Sequence, residues 1–187
     1  MDLLVGWERT AIIMLILETQ RLWLRHPVME DLDAYYALYR DPEMRRYFPD
    51  GTLTLEETRE EVEWYLNGHP RHPPLGLWAT ILKASGQFIG RCGLRPWTID
   101  DQFEVEIAYM IDKRFWGQGL GTEAAAGIRD YALEHLGLTR LICLIDEHNQ
   151  ASIRVAEKIG MAFEKEGEDE LGPFHLYTTN NLQQEKA

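Results

Sequence analysis

Three glycines spaced two residues apart, Gly117, Gly119 and Gly121, follow the cationic residue Arg114 and precede an alanine-rich stretch typical of a helix. Glycine lets the backbone approach a ligand without an intervening Cβ atom, and it adopts positive φ where a turn requires it. A turn that opens a helix also presents unpaired N–H groups and the positive end of the helix dipole. The pattern therefore predicts an anion-binding turn, best suited to two linked phosphates.

Two better-known phosphate sites fit this turn poorly. A Walker loop needs a lysine before its Ser/Thr, and Gly121 directly precedes Thr122 here. A dinucleotide fold needs a third glycine one residue later, although Asp146 at the end of a following strand would suit a ribose. The strand before the turn argues against that fold, because its alternation puts Glu104 and Glu106 on one face. A nucleotide-cofactor oxidoreductase is therefore disfavoured.

Composition narrows the class of protein. A chain of 187 residues is long enough for one domain with a sizeable core. Its net charge of −12 argues against direct nucleic-acid binding. Cys92 and Cys143 lie in strand-like apolar runs, which indicates packing and a reducing, cytoplasmic compartment. The six histidines show no metal-ligand spacing, so no metal is expected. The apolar run 11–17 is too short to cross a membrane.

The elements that must position the glycine turn alternate between strands and helices. The predicted strands are 15–25, 77–83, 88–94, 103–111 and 140–145, with a last one around Tyr177, and the predicted helices are 29–39, 54–66, 122–136 and 150–159. Thr54 and Glu57 form a capping-box pattern, Ser85-Gly86 is a hairpin signal, and Gly160 ends the last helix. This order predicts a single α/β domain.

Six short segments of the chain, taken together, resemble a known family. The segments are Leu17-Glu-Thr-Gln-Arg-Leu-Trp-Leu-Arg25, Ile89-Gly-Arg-Cys-Gly-Leu94, Glu106-Ile-Ala-Tyr109, Arg114-x-x-Gly117-x-Gly119, Asn149-Gln-Ala-Ser152 and Glu157-Lys-Ile-Gly160. In this order they resemble the GNAT superfamily of N-acetyltransferases, and within it the branch similar to RimJ and RimL, which acetylate ribosomal-protein N-termini. The resemblance covers roughly residues 15–180.

The resemblance implies a fold and a co-substrate. The fold would be α+β, with a mixed, mostly antiparallel central sheet that splays open at the acetyl-CoA site and carries helices on both faces. The pantetheine arm would pair with the backbone of Met110 and Ile111. The pyrophosphate would be bound by the N–H groups of the turn, with Arg114 nearby. The residues of that turn are Gly117, Gln118, Gly119, Leu120, Gly121 and Thr122.

The chemistry implied is attack of a neutral amine on a thioester. Deprotonating an α-amino group at pH 7 costs about 1.4 kcal/mol, and deprotonating a lysine costs about 4.6 kcal/mol. A carboxylate whose pKa is raised by burial can accept the proton, directly or through water. Glu106 is our candidate base, because its strand precedes the phosphate turn by a suitable distance and the family often places an acid there. The alternative is a solvated Glu106 paired with an arginine.

Ser152 is the candidate donor to the departing thiolate. Asn149 is a natural N-cap, which puts Ser152 at the third helical position, where its hydroxyl is aided by the helix dipole. Family usage agrees with this role, and it also suggests that Asn149 touches the pantetheine. A merely capping role for Ser152 is the alternative. A backbone N–H of the splayed strand would bind the oxyanion of the intermediate.

The acceptor is the least defined part of the prediction. Acidic runs at 56–57, 60–63 and 166–170, with aromatic residues Tyr47, Phe48, Trp64, Tyr65 and Trp97, would suit a cationic amine, although such runs are usually solvated helix faces. A protein N-terminus and a small-molecule amine both remain open. The alternative that the protein is a catalytically silent module that binds or senses acyl-CoA also remains open.

The expected domain organisation is simple. Residues 1–13 would be an N-terminal extension, 14–181 the N-acetyltransferase domain and 182–187 a C-terminal tail. Some relatives pair into dimers, so a homodimer is left open.

Overall fold

A computed structural model of the protein describes residues 15–169 and 172–179. Its centre is an eight-stranded sheet in the order β1-β2-β3-β4-β5-β6-β8-β7. The strands are β1 (Leu15–Glu18), β2 (Leu22–Arg25), β3 (Gly76–Leu82), β4 (Gln87–Ile99), β5 (Gln102–Ile111), β6 (Ile142–Ile145), β7 (Met161–Asp169) and β8 (Gly172–Thr179). The expected N-terminal extension 1–13 and tail 182–187 lie outside the described residues.

The sheet is mixed and mostly antiparallel, as expected. All neighbouring strands pair antiparallel except β5 and β6, which run parallel. Their pairing is confined to Glu106 opposite Ile142. Beyond Glu106 the two strands separate, so the second half of β5 lines an opening in the sheet. This is the predicted splay.

Within the described residues, five α-helices cover the two faces of the sheet. They are α1 (Leu32–Tyr39), α2 (Pro42–Arg45), α3 (Leu55–Tyr65), α4 (Leu120–Glu134) and α5 (Gln150–Lys158). Residues of α1 and α3 pack with Ala79 and Met110 on one face. Residues of α4 and α5 pack with Trp78 and Ile107 on the other, in the larger part of the core.

Three local predictions are confirmed at the level of hydrogen bonds and dihedral angles. The Thr54 side chain accepts from the N–H of Glu57 while the Glu57 carboxylate accepts from the N–H of Thr54, which is the predicted capping box. Gly86 has φ +67° in the β3–β4 hairpin turn, and Gly160 has φ +82° just after α5. Each of these features depends only on residues close in sequence.

Two element predictions are wrong in detail. The predicted strand 15–25 is a hairpin of two short strands, because Thr19 and Leu22 exchange backbone and side-chain hydrogen bonds across a turn. Strand β7 was not predicted. It pairs only with β8 and has an exposed acidic side, so its sequence lacks the apolar character expected of a strand.

Within the described part of the chain, no helix is long and apolar enough to cross a membrane.

Candidate functional site

The opening between β5 and β6 is part of a cavity of about 370 Å³ that reaches both faces of the sheet. Glu106 and Ala108 of β5 contribute to it from the α1/α3 side, and Asn149 and Ser152 contribute from the start of α5. The other lining residues are Arg46, Tyr47, Phe48, Pro49, Arg91, Arg95, Trp97, Ile107, Tyr109, Cys143, Leu144, Ile145, Asp146, Gly172, Pro173 and Phe174. The two predicted catalytic residues therefore share one cavity.

Glu106 has the surroundings expected of a base. Its half-buried carboxylate accepts a hydrogen bond of 2.6 Å from the indole N–H of Trp97. Burial raises the pKa of Glu106 above its ordinary value, while the nearby Arg95 and the Trp97 hydrogen bond act in the opposite direction. The arginine that pairs with a strand glutamate is Arg140, and it binds Glu104 at 2.9 Å. A carboxylate held in this way can accept a proton near neutral pH.

The first turn of α5 has the predicted geometry. Asn149 is the N-cap, and its Oδ1 atom accepts the N–H of Ser152 at 3.1 Å. Ser152 is consequently the third residue of the helix, and its half-buried side chain lines the cavity. The helix dipole favours negative charge at this position. The hydroxyl can therefore donate to an anion in the cavity.

Tyr109 crosses the opening, and the sequence analysis did not identify it as a site residue. Its hydroxyl donates to the backbone carbonyl of Ser152 at 3.0 Å, which joins β5 to the first turn of α5. Burial raises the pKa of the Tyr109 phenol well above its usual range, so the phenol remains a donor. Tyr109 belongs to the apolar set of β5 residues that alternates with the polar ones, a pattern typical of a core position. Its hydrogen-bond partner lies 43 residues away, so the local sequence could not reveal the contact.

The backbone N–H and C=O groups of β5 face β4 at one residue and β6 or the opening at the next. The Sγ atom of Cys143 donates to the carbonyl of Ile107 at 3.3 Å, so that carbonyl faces β6. Alternate residues point their backbone groups to the same side of a strand, so those of Tyr109 and Ile111 also face the opening. The carbonyl of Met110 faces β4, close to Gly90. The carbonyl of Ile111 already accepts the indole N–H of Trp116 at 2.6 Å. The backbone of Tyr109 and the N–H of Ile111 are therefore better placed than Met110 to pair with a ligand in the opening.

The glycine turn lies apart from the cavity, at the start of α4. Gly117 and Gly119 have φ of +75° and +74°, a backbone region that favours glycine. Gly119 is the N-cap of α4 and provides no side-chain hydrogen bond to it. Gly121 packs near Ile111 with an ordinary backbone conformation. The first N–H groups of α4, from Leu120 through Thr122, thus have no capping side chain.

Two arginines flank this turn. The exposed guanidinium of Arg114 binds the carboxylate of Asp112, with an Nε–Oδ2 distance of 2.9 Å. Arg21 was not identified from the sequence; it donates to the carbonyl of Gln118 at 2.9 Å and pairs with Glu123. Arg21 lies 97 residues from Gln118, so no local pattern could have found it. The turn therefore offers backbone N–H groups and two arginines, each of which is paired with a carboxylate.

The acceptor side of the cavity differs from the expectation of an acidic wall. Of the expected aromatic residues, Tyr47, Phe48 and Trp97 line the cavity. The acidic runs 56–57 and 60–63 lie along α3, and the described part of 166–170 lies on β7; none of them lines the cavity. The charged groups that do line it are Arg46, Arg91, Arg95, Glu106 and Asp146. The cavity is therefore richer in cations than in anions.

The two cysteines are buried and poorly suited to covalent catalysis. Burial raises the pKa of Cys92 to about 11. Burial and the nearby charge of Glu106 raise the pKa of Cys143 well above its usual range. Because the thiolate is the nucleophilic form, neither residue favours an acetyl-cysteine intermediate.

Comparison with known proteins gives concordant matches. A sequence model of the GNAT acetyltransferase domain matches residues 21–162. YkkB of Bacillus subtilis (strain 168) is 39% identical over 152 residues, which is 80% of this chain and 86% of its own length. The N-acetyltransferase p20 of Bacillus licheniformis is 28% identical over 152 residues, covering 81% and 83% of the two chains.

Among solved structures, the ribosomal-protein α-N-acetyltransferase RimL in complex with coenzyme A has a TM-score of 0.72 and 18% identity to this chain. The match covers 88% of this chain and 96% of that one. At this identity the similarity concerns the fold.

Proposed function

This chain belongs to the GNAT family of acetyl-CoA-dependent acetyltransferases, and we propose that it transfers the acetyl group directly to a primary amine in a ternary complex. The acceptor amine would lie in the cavity beside Glu106. The thioester would lie in the opening of the sheet, between β5 and the first turn of α5. The observation that carries this proposal is that one cavity joins Glu106 to Ser152 through the opening.

The co-substrate would occupy two places that the fold provides. Its pantetheine amides would pair with the backbone of Tyr109 and with the N–H of Ile111, which face the opening. Asn149 lies beside this path at the start of α5. The pyrophosphate would bind the N–H groups of the turn 117–122, with Arg114 and Arg21 supplying positive charge. Acetyl-CoA supplies the activated acyl group.

The transfer is balanced without a covalent enzyme intermediate. The amine nitrogen attacks the thioester carbon, a C–N bond forms, and the carbonyl oxygen becomes an oxyanion that accepts a backbone N–H bond from β5. Glu106 takes the amine proton, directly or through water. The C–S bond then breaks, and the hydroxyl of Ser152 donates a hydrogen bond to the departing thiolate. The products are an N-acetyl amine and coenzyme A.

The proposal is tested by measuring acetyl-CoA binding and thiol release on a panel of amines, for wild type, Glu106→Gln and Ser152→Ala. General-base catalysis contributes about 10²–10⁴-fold, so Glu106→Gln should lower kcat by roughly 100-fold and leave the Kd for acetyl-CoA unchanged. Loss of one hydrogen bond to the thiolate should lower kcat by about tenfold in Ser152→Ala.

The same measurement separates an enzyme from a silent acyl-CoA-binding module. Tight binding of acetyl-CoA by the wild type without thiol release on any amine would favour the module. Equal kcat values in the wild type and Glu106→Gln would remove Glu106 from the reaction.

A further inference from the structure

The acceptor wall of the cavity carries three arginines in a protein of net charge −12. Arg46 comes from the segment after α2, and Arg91 and Arg95 come from β4. Against them the cavity has two carboxylates, Glu106 and Asp146. A cationic wall inside an acidic protein is opposite to what a purely cationic acceptor would need, because like charges repel.

These arginines are not directly paired with carboxylates of the protein. Among the described residues, no carboxylate lies within 4.0 Å of the guanidinium nitrogens of Arg46, Arg91 or Arg95. Arg91 is 4% exposed and is held by a hydrogen bond of 3.0 Å from its Nε atom to the hydroxyl of Tyr39. The Tyr39 hydroxyl in turn donates to Glu61, so Arg91 is linked to a carboxylate through this tyrosine. Within the described part of the chain, Arg46 and Arg95 make no hydrogen bond to a carboxylate, so their donors are open to an anionic ligand.

Arg95 is the arginine best placed for an acceptor group. It is the cross-strand partner of Glu106, so their Cα atoms are roughly 5 Å apart and their side chains share a face of the sheet. Its guanidinium stacks on the Trp97 ring at 4.4 Å, which holds the planar fork without consuming its donors. The small side chain of Ala108, two residues after Glu106 on the same face of β5, also lines the cavity.

Aromatic side chains form another part of the wall. Phe48, Trp97 and Phe174 line the cavity next to these charged groups. An acceptor that fills the cavity would therefore present an amine to Glu106, an anion to Arg95 and an apolar portion to the aromatic side chains.

We infer that the acceptor is a small amine bearing a carboxylate close to its nitrogen, as an α-amino acid does, and that Arg95 binds this carboxylate. Arg91 and Arg46 add positive potential around it. The inference rests on the proposed function and selects between its two acceptor classes. In a protein N-terminus the corresponding carboxyl is a neutral amide, so it lacks the group that Arg95 would bind.

The test compares L-amino acids with their own carboxamides. Binding to the CoA-loaded enzyme is measured by calorimetry, and turnover with acetyl-CoA is measured by thiol release. At least one free acid should bind tenfold or more tightly than its carboxamide, with the same preference in kcat/KM where turnover occurs. Amine basicity works against this preference, because a neighbouring carboxylate stabilises the protonated amine.

Arg95→Gln should reduce the acid-to-amide ratio by tenfold or more, and Arg46→Gln should reduce it severalfold. Because the ratio is taken within one variant, the effect of Arg95 on the Glu106 pKa cancels. Arg40→Gln is the matched control: Arg40 is an exposed arginine over Tyr36, at 5.5 Å, and it does not line the cavity. Its ratio should equal that of the wild type.

Several outcomes would overturn the inference. One is the absence of any acid that binds more tightly than its amide, with or without turnover. Another is tight acetyl-CoA binding with acetylation of peptide N-termini or amides at equal or higher efficiency. A third is weaker acetyl-CoA binding in Arg95→Gln with an unchanged ratio, which would assign the arginines to the co-substrate phosphates. Failure of acetyl-CoA to bind the wild type would instead contradict the proposed function.

Discussion

At the scale of single residues, the proposed role of Glu106 as a base depends on the groups around its carboxylate. Burial raises its pKa, whereas Arg95 and the Trp97 hydrogen bond limit the rise. An ordinary carboxylate would be a weak base towards an ammonium group, and a fully buried one would be protonated at neutral pH. In Glu106 the two influences on the pKa oppose each other, and the effect of burial is the larger.

The first prediction concerns the indole of Trp97. Trp97→Phe keeps an aromatic ring beside Arg95 but removes the 2.6 Å hydrogen bond to the Glu106 carboxylate. Since this bond favours the ionised form, its loss should raise the pKa of Glu106. The base would then become protonated at higher pH, so the acidic limb of the kcat profile should move to higher pH. The profile is measured between about pH 5 and 9, which brackets the roughly neutral range in which enzymes tune such acids.

Trp64→Phe provides the control for that profile, because Trp64 is exposed on α3 and does not line the cavity. If the acidic limb of the kcat profile does not move in Trp97→Phe, a group other than Glu106 controls that limb.

At the scale of elements, two helix starts organise the site. The start of α4 offers its N–H groups beyond Gly119, and the start of α5 presents Ser152 after the Asn149 cap. Both use the same physics, in which unpaired N–H groups and the helix dipole favour negative charge. One would serve the pyrophosphate and the other the thiolate.

Asn149→Ala should destabilise the protein by about 0.5–2 kcal/mol, because it removes the side-chain acceptor for the N–H of Ser152. We also expect a lower kcat, since the first turn of α5 would no longer fix the Ser152 hydroxyl. Urea unfolding and thiol-release assays measure the two effects. Asn149→Asp retains the cap and should recover the stability; if it does not, the cap is not the cause.

Gly119→Glu should abolish measurable acetyl-CoA binding, because it adds a negative charge and a strained backbone at the phosphate turn. Gly137→Glu is a matched control: Gly137 has φ +67°, follows the other end of α4 and has no heavy atom within 4 Å of the point where a Cβ atom would lie. It introduces similar strain and the same charge. Binding of acetyl-CoA, measured by calorimetry, distinguishes the two variants. Normal binding by Gly119→Glu would place the phosphates elsewhere.

At the scale of the whole molecule, long-range contacts join the N-terminal hairpin to the phosphate turn. Glu123 of α4 accepts hydrogen bonds from the hydroxyl of Thr19 and the backbone N–H of Arg21, and it pairs with the Arg21 guanidinium. Arg21 in turn binds the carbonyl of Gln118, which lies 97 positions further along the chain. The conformation of the glycine turn thus depends on residues that are far apart in sequence.

This connection predicts a pH dependence of stability. Burial alone would raise the pKa of Glu123. The hydrogen bonds from Thr19 and Arg21 outweigh this effect and leave that pKa below its ordinary value in the folded state. A lowered folded pKa stabilises the protein above the unfolded pKa, and this stabilisation is lost as the pH falls through the folded value. Glu123→Gln should therefore cost about 1 kcal/mol at neutral pH, and progressively less below about pH 5.

Denaturant unfolding at several pH values checks this expectation. Glu134→Gln removes an equal charge from an exposed position on the same helix and should change stability little at any pH. A cost in Glu123→Gln that stays constant as the pH falls would contradict the assignment to the ionised carboxylate.

The sequence by itself determined those features that depend on a few consecutive residues. The spacing of Gly117 and Gly119 predicted an anion turn because positive φ is a property of the local backbone, and both residues adopt it. Asn149 fixed the position of Ser152 because a cap acts over three residues. The family motifs extended this to the fold and the co-substrate, and the family match supports both.

The tertiary structure alone decided which side chains surround the reacting groups. Trp97 rather than an arginine binds Glu106, Tyr109 joins Ser152 across the opening, and Arg95 faces the cavity. Each contact depends on the register of neighbouring strands or on a helix packed far along the chain. A strand arginine or tyrosine has the same local pattern whether it faces solvent, core or cavity. Only the assembled sheet and its opening distinguish these environments, because burial and charge are properties of the whole fold.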